Sequence, residues 1–284
     1  VGILGESGAG KTTLLRILRG VEGFDSGRIV FEDLEVDADS PRESFLELQR
    51  RTAIQLQRTF GLWPDSAVDN VVRALVYHDF GDEIVPQDEG EYEEYRAKAM
   101  EVLKVVGLDN RADLWSGVLS GGEKQRLIVA RQIARRPKLL LLDEPVTMTD
   151  FKSRAALVDA LKRARDEYEM SILFVSHNPS IHESLADRTI LLERGRVLME
   201  GKTGVVVESF LSKLEEPLSK TRIPGDDVLR IERMSKVYKL VPYGKVFDLK
   251  ETTLNFRSGE ITGIVGPSGA GKTVIMRMLA GLEL

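Results

Sequence analysis

Short apolar runs alternate with amphipathic segments along most of the chain. Apolar runs predict strands over residues 52–56, 139–142 and 172–175, and Gly195 is expected in a turn between two later strands. Apolar residues at helical spacing predict helices over 14–18, 67–76, 92–106, 123–135 and 153–168. The acidic stretch 82–94 predicts a solvated loop. This alternation predicts an α/β fold with a largely parallel sheet covered by helices.

One glycine-rich octapeptide occurs twice in the chain. Residues 5–12 have the sequence GESGAGKT and residues 266–273 have GPSGAGKT, and Leu18 and Gly20 return at the same offset as Leu279 and Gly281. A repeat separated by a whole domain's length indicates a duplicated domain rather than a solenoid. We expect a first domain over 1–214 whose opening strands precede Val1, a linker over 215–227, and the start of a second domain over 228–284.

Composition removes several classes of function. Hydrophobic residues make up 42% of the chain, charged residues 30%, the formal net charge is −5, and there is no cysteine. No apolar run approaches the roughly 20 residues that cross a bilayer, and the charge disfavours binding to a phosphate backbone. Disulfides and thiolate metal sites are excluded. We therefore expect a cytoplasmic protein that binds no nucleic acid and reaches any membrane only through a partner.

The repeated octapeptide has the pattern of a phosphate-binding loop. In the first copy it follows an apolar run and precedes a helix, where backbone N–H groups and the helix dipole hold phosphate. Lys11 would reach the β- and γ-phosphates, and the Thr12 hydroxyl would bind Mg²⁺. The alternative, a glycine-rich turn without a ligand, is disfavoured by the second copy. The candidate nucleotide-binding residues are Gly5, Ser7, Gly8, Ala9, Gly10, Lys11, Thr12 and Thr13, and then Gly266, Ser268, Gly269, Gly271, Lys272 and Thr273.

Two adjacent carboxylates end the apolar run at 139–142. In a chain that also has a phosphate-binding loop, Asp143 is a candidate ligand of magnesium, and Glu144 is a candidate base for the attacking water. The alternative for this segment alone is a buried strand followed by an ordinary surface turn.

A serine and two glycines precede the predicted helix 123–135. Ser120 is a candidate helix cap, and bare N–H groups at Gly121, Gly122 and Glu123 would form a second anion cradle. This string, LSGGEKQR, resembles the signature sequence of ABC ATPases. The resemblance implies a P-loop NTPase fold of the ABC type, with a helical subdomain, that binds ATP and Mg²⁺.

Further residues match that family by order and spacing. Gln57 resembles the Q-loop glutamine, Asp150 the D-loop aspartate at the domain interface, and His177 the switch histidine. The resemblance makes Glu144, His177 and Gln57 catalytic and makes Thr12, Gln57, Asp143 and Thr273 metal ligands. Tyr238 resembles the aromatic residue that stacks on adenine, and Tyr243 is the competing choice.

The resemblance also implies a head-to-tail pairing of two nucleotide-binding domains. Ser120 and Gly122 would then contact the ATP held by Lys272 and Thr273, and the Lys11 site would need a signature from beyond Leu284. In the D-loop, Thr147 to Thr149 replace the usual Ser-Ala-Leu before Asp150, which puts the contact geometry between the domains in doubt.

The segment after the Q-loop glutamine suggests a partner. Its LQRTF string (56–60) resembles the tandem ABC ATPases that activate methyl-coenzyme M reductase in methanogenesis. This resemblance implies that ATP turnover drives activation of that nickel enzyme, in a complex with it and with redox proteins. The alternative is the ATP-binding subunit of an importer, whose partners are membrane permease subunits. Residues 58–72 would separate the two, because transporters receive a permease helix beside the Q-loop.

Overall fold

The chain forms two compact units, residues 1–214 and 215–284. The computed structural model describes residues 1–56, 61–146, 151–213, 225–240, 244–266 and 270–282. The side chains of residues 151, 238–240 and 244–248 lie outside that description. No helix among the described residues combines the length and the apolar character needed to span a membrane.

A mixed sheet forms the centre of the first unit. Its strands are β1 (Gly2–Leu4), β4 (Thr52–Gln55), β5 (Leu139–Asp143), β6 (Ser171–Ser176), β7 (Arg188–Glu193) and β8 (Arg196–Lys202). They are hydrogen-bonded in the order β4-β5-β6-β1-β7-β8, with β8 antiparallel to β7 and the others parallel. A separate hairpin pairs β2 (Arg28–Phe31) with β3 (Leu34–Asp37). The predicted α/β fold is confirmed.

Helices surround this sheet. They are α1 (Lys11–Leu18), α2 (Arg42–Arg51), α3 (Ala67–Phe80), α4 (Glu89–Val105), α5 (Gly121–Ala134), α6 (Phe151–Tyr168), α7 (Pro179–Leu185) and α8 (Thr203–Leu211). Helices α3 and α4 pack on α5, and one buried cluster runs from α3 through α5 to α6 and the sheet. This continuous apolar core, which includes Val71, Leu103, Leu127 and Leu161, ties the helical region to the sheet.

The register of the central strands brings their ends to one edge. Leu4 at the end of β1 lies beside Ser176 at the end of β6. Asp143 at the end of β5 lies beside Val175. Ligand sites of open parallel sheets form at the carboxyl ends of the strands. The loop after β1 and the residues that follow β5 and β6 therefore meet at this edge.

The second unit contains a long hairpin and one short helix among its described residues. Strand β9 (Asp227–Leu240) pairs antiparallel with β10 (Gly244–Arg257), and α9 spans Lys272–Leu279. Residues 260–266 form no strand, and the side chains of Ile261 and Val265 are almost fully exposed. The second copy of the loop thus follows an apolar run that is not paired in a sheet.

Two local predictions differ from the structure. Residues 82–94 were expected to form a loop, but α4 begins at Glu89 because Asp88 caps it by accepting from Glu91 N–H at 2.9 Å. Acidic residues in a first turn also interact favourably with the helix dipole. The linker predicted to end at Asp227 ends earlier, since Asp227 is the first residue of β9.

Candidate functional site

The first phosphate loop (residues 5–12) joins β1 to α1 at the carboxyl edge of the sheet. Gly8 and Gly10 have φ of 83° and 95°, the left-handed region that favours glycine. Gly5 packs against Leu192, whose carbonyl oxygen would lie 2.2 Å from a Cβ at that position. Helix α1 begins with no side-chain cap and no acidic residue in its first turn. Its first N–H groups are therefore available to an anion such as phosphate.

The side chain of Lys11 folds back across this loop. Its Nζ donates to the carbonyl oxygens of Gly5 and Glu6, each at 2.8 Å. Burial lowers the pKa of Lys11, and the carboxylates of Glu144 and Asp143 oppose that shift. An ammonium group carries three N–H donors. The two carbonyls therefore leave a donor for a phosphate oxygen within the loop.

Thr12 and Asp143 connect α1 to the end of β5. The Thr12 hydroxyl donates to Asp143 Oδ2 at 3.0 Å. Burial raises the pKa of Asp143, the hydrogen bond from Thr12 lowers it, and the charge of Glu144 raises it. Hydroxyl and carboxylate oxygens suit Mg²⁺, which also takes phosphate oxygens as ligands. Among the described residues, no group of three or more His, Cys, Asp or Glu could hold a metal by itself. The pair thus fits a magnesium ion shared with a nucleotide.

Glu144 is held against the turn that follows β6. Its φ is 48°, and its N–H donates to the carbonyl of Val175 at 3.0 Å. Glu144 Oε1 accepts from the backbone N–H of His177 at 2.9 Å and lies 2.7 Å from His177 Nδ1, while Oε2 accepts from Ser176 Oγ at 2.9 Å. The side chain of Glu144 is 10% exposed and that of His177 is 62% exposed. A shielded carboxylate beside an exposed imidazole is suited to proton transfer.

One cleft of about 800 Å³ contains these groups, a volume within the usual range of small-molecule sites. It is lined by Glu6, Ser7, Gly8, Gly10, Lys11, Thr12, Thr13, Asp143, Glu144, His177, Pro179, Phe210 and Leu211. Ala9 is buried below it, and its carbonyl accepts from Gly195 N–H at 3.0 Å. The structure therefore brings the first phosphate loop together with Asp143, Glu144 and His177.

The signature residues begin α5 and do not line this cleft. Ser120 caps the helix through a reciprocal pair of bonds: its N–H donates to Glu123 Oε2 at 2.8 Å, and its Oγ accepts from Glu123 N–H at 3.3 Å. A Cβ at Gly122 would lie 2.4 Å from Ser153 Oγ, so that glycine lets α6 approach. A Cβ at Gly121 would meet no described atom within 4 Å. Packing among the described residues therefore explains Gly122 but not Gly121.

The second phosphate loop (residues 266–273) repeats part of the first. Gly271 has φ of 93° at the start of α9, and Lys272 Nζ donates to the carbonyl of Gly266 at 2.7 Å. Thr273 is exposed. Residues 267–269 of this loop lie outside the described part of the chain.

Several predicted residues lie outside the described part of the chain. These are Gln57, Asp150, Tyr243, Ser268 and Gly269. Tyr238 lies in β9, but its side chain is not described. Strand β4 ends two residues before Gln57, at the same edge of the sheet as Asp143.

Sequence reasoning missed Ser176, which bonds to Glu144, and Phe210 and Leu211, which line the cleft. A signal for Ser176 was present, because a hydroxyl residue ends an apolar run immediately before the predicted switch histidine. Nothing comparable marks Phe210 and Leu211, since an apolar pair at the end of a helix is commonly part of the core.

The sequence of the chain matches a known protein family and several of its members. The sequence model of the family described as ABC transporter matches residues 1–147 and 249–284. An uncharacterized ABC transporter ATP-binding protein of Methanocaldococcus jannaschii is 43% identical over the whole chain, which covers 50% of that protein. The methionine import ATP-binding protein MetN 1 of Rhodopseudomonas palustris is 33% identical over the whole chain, which covers 78% of it.

A solved structure shares the architecture. A dimeric ATP-binding cassette in a post-hydrolysis state, bound to ADP and Pi, aligns with TM-score 0.57 and 28% identity over 71% of this chain and 84% of that one. The chain spans about half the length of several curated relatives that it matches. On the family match and the shared fold, the chain belongs to the ABC transporter family and contains the ATPase fold of its ATP-binding cassettes.

Proposed function

We propose that the cleft of residues 1–214 binds MgATP and hydrolyses it, and that this turnover drives work on a partner protein. The observation that carries the proposal is the juxtaposition of Glu144 with the first phosphate loop. Glu144 and His177 line the same cleft as Lys11 and Thr12, although Glu144 is more than 130 residues from the loop in sequence. A glycine-rich turn without a ligand does not require Glu144 and His177 to lie beside it.

Each side chain then has a chemical role. The N–H groups of α1 and Lys11 Nζ hold the β- and γ-phosphates, and Thr12 and Asp143 hold Mg²⁺, which neutralises phosphate charge when bound. Glu144 accepts a proton from the attacking water. The His177 ring, now paired with Glu144 Oε1, is exposed enough to turn toward the γ-phosphate. Gln57 would orient the water from the segment after β4.

The signature supports a composite site. Ser120 and Gly121 are exposed, and Gly121 has open space where a side chain would be. A helix N-terminus with that opening can receive the phosphate of a nucleotide bound to another domain. We propose a head-to-tail pairing in which the start of a second domain, residues 228–284, contributes Lys272 and Thr273 opposite Ser120 and Gly122. Asp150 would contact the other domain, and Tyr238 would stack on adenine.

The comparisons favour a permease as the partner. A methionine import ATP-binding protein is a relative matched over the whole chain, and a sulfate/thiosulfate import ATP-binding protein of Burkholderia mallei is 38% identical over 73% of the chain. We therefore propose a cytoplasmic ATPase that energises an importer. Activation of methyl-coenzyme M reductase, with redox proteins as co-partners, is the alternative. It rests on residues 56–60, all but the first of which lie outside the described part of the chain.

The catalytic proposal is tested by one conservative substitution. Glu144→Gln keeps the size of the side chain and removes the base, so we expect ATP turnover to fall by at least about a hundredfold with little loss of nucleotide affinity. Glu101→Gln, on the exposed face of α4, is the matched control and should match the parent. Equal turnover in the parent and Glu144→Gln would contradict the proposal.

The partner is tested separately by identifying the proteins that co-purify with the ATPase from native extract. Integral membrane permease subunits are expected. Recovery of a nickel reductase with redox proteins, and no membrane protein, would replace the importer by the activation alternative.

A further inference from the structure

Ser176 ends β6, immediately before His177 of the cleft, and is fully buried. Its hydroxyl donates to Glu144 Oε2 at 2.9 Å, and the same Oγ accepts from the backbone N–H of Asn178 at 3.1 Å. A hydroxyl has one hydrogen to donate. Because the Asn178 N–H approaches from the acceptor side, that hydrogen is directed to Glu144.

The backbone of Ser176 is held by a hydrogen bond from His182. The His182 Nε2 lies 3.1 Å from the carbonyl oxygen of Ser176. A carbonyl oxygen only accepts, so Nε2 carries the proton and His182 is the donor. Its Nδ1 is buried and has no hydrogen-bond partner among the described residues, which agrees with a neutral ring. His182 therefore holds Ser176 as a fixed donor and does not compete for the proton of Glu144.

The ring of His182 has two close neighbours, Phe174 and Gly2. It packs against Phe174 with ring centroids 4.9 Å apart. It also lies against Gly2 of β1, where a Cβ would come within 2.3 Å of His182 Nδ1. The absence of a side chain at Gly2 makes room for the ring. Ser176 is thus braced against the strand that leads into the first phosphate loop.

The two oxygens of Glu144 are held by unlike partners. Oε1 is bonded by His177, whose side chain is 62% exposed, whereas Oε2 is bonded by the fully buried Ser176. If His177 turns to the γ-phosphate during turnover, its ring leaves Oε1 and the Ser176 bond remains. Oε1 would then lose the imidazole but keep the bond from the His177 backbone N–H, while Oε2 stays anchored by Ser176.

We propose that Ser176, braced by His182, is a positioning residue that holds the Glu144 carboxylate in its reactive orientation through the hydrogen bond to Oε2. This inference rests on the proposed function and deepens it, since it assigns the support of the base rather than the base itself. Loss of the anchor would misplace the carboxylate and slow the chemical step, with little effect on nucleotide affinity.

The test compares Ser176→Ala with Ser176→Thr. Alanine removes the hydroxyl and threonine restores it. Misplacement of a catalytic group costs roughly tenfold to a hundredfold in rate, so we expect kcat to fall by that factor in Ser176→Ala, with KM for ATP within about twofold of the parent. Ser176→Thr should recover most of the rate. Ser184→Ala is the matched control, because Ser184 bonds only to the carbonyl of Ile181 among the described residues; it should match the parent.

Two results would overturn the proposal: a Ser176→Ala enzyme with parental kcat, or a Ser176→Thr enzyme as slow as Ser176→Ala. If Ser176→Ala does not fold, judged by thermal unfolding, Ser176→Cys fills the same space with a weak donor and should show the same loss. The double variant Glu144→Gln/Ser176→Ala should be no slower than Glu144→Gln, because Ser176 acts through Glu144. If Glu144→Gln itself keeps parental turnover, the proposed function fails; if only Ser176→Ala does, this inference alone fails.

Discussion

In the first phosphate loop, Lys11 Nζ donates to the carbonyl of Gly5 at 2.8 Å; in the second, Lys272 Nζ donates to that of Gly266 at 2.7 Å. The glycine before each helix has nearly the same backbone angles, φ 95° and ψ 8° against φ 93° and ψ 8°, and each helix has eight residues. The described residues of the two octapeptides thus share the lysine contact and the start of the helix.

The surroundings of the two loops differ. Leu4, the last residue of β1, is 0% exposed, whereas its counterpart Val265 is 96% exposed. Thr12 donates to Asp143, while the described residues of the second unit give Thr273 no carboxylate partner. A phosphate cradle is therefore local, but a site for magnesium and for catalysis needs the neighbouring strands.

The largest expected effect is on stability at the strand before the loop. Leu4→Ala removes a fully buried side chain, so we expect the free energy of unfolding to fall by about 3 kcal/mol. Val265→Ala, the matched change in the second copy, should cost less than about 0.5 kcal/mol because Val265 is exposed. Urea unfolding of the two variants measures both. Equal losses of unfolding free energy in the two variants would show that the segment before the second loop is buried as well.

A smaller effect on stability is expected from lowering the pH, and it comes from His182. Burial lowers the pKa of His182 to about 4 from its ordinary value of 6.5. Between these values the unfolded chain binds the proton and the folded chain does not, so stability falls as pH decreases. Between pH 7 and pH 5 this group should reduce the free energy of unfolding by about 2 kcal/mol.

His182→Gln is the control for that pH dependence, because glutamine offers an N–H donor and does not titrate. The difference in unfolding free energy between the two proteins should therefore shrink by about 2 kcal/mol from pH 7 to pH 5. A difference that stays constant would mean that His182 titrates normally in the folded chain.

The smallest expected effect concerns the signature helix. Ser120→Ala removes the cap of α5 and its reciprocal bond with Glu123, which should cost about 1 kcal/mol. In Ser120→Asp the new carboxylate can still accept from Glu123 N–H, so this variant should recover most of the lost unfolding free energy. A loss well above 2 kcal/mol in urea unfolding would show that Ser120 has structural contacts beyond the cap.

The sequence predicted those features of the site that are local. The loop conformation, the cap at Ser120 and the strand ending at Asp143 follow from short patterns. The bond between Ser176 and Glu144 joins residues 32 positions apart, and the support from His182 depends on Gly2 at the far end of the unit, so no window of sequence contains them. The start of α4 differs from the prediction for another reason: an acidic stretch alone predicts a solvated loop, but Asp88 caps a helix whose first turn those acidic residues form.

Whether nucleotide binds mainly at the first phosphate loop is tested most directly by titrating the 284-residue chain with a non-hydrolysable ATP analogue and Mg²⁺. The parent, Lys11→Ala and Lys272→Ala would be compared. If the tighter site is the one built on the first loop, Lys11→Ala should lower the affinity of that site by at least about a hundredfold, about 2.7 kcal/mol, and Lys272→Ala should leave the affinity of that site within about twofold of the parent. If tight binding were lost in Lys272→Ala and kept in Lys11→Ala, the nucleotide would bind mainly at the second loop, contrary to this prediction.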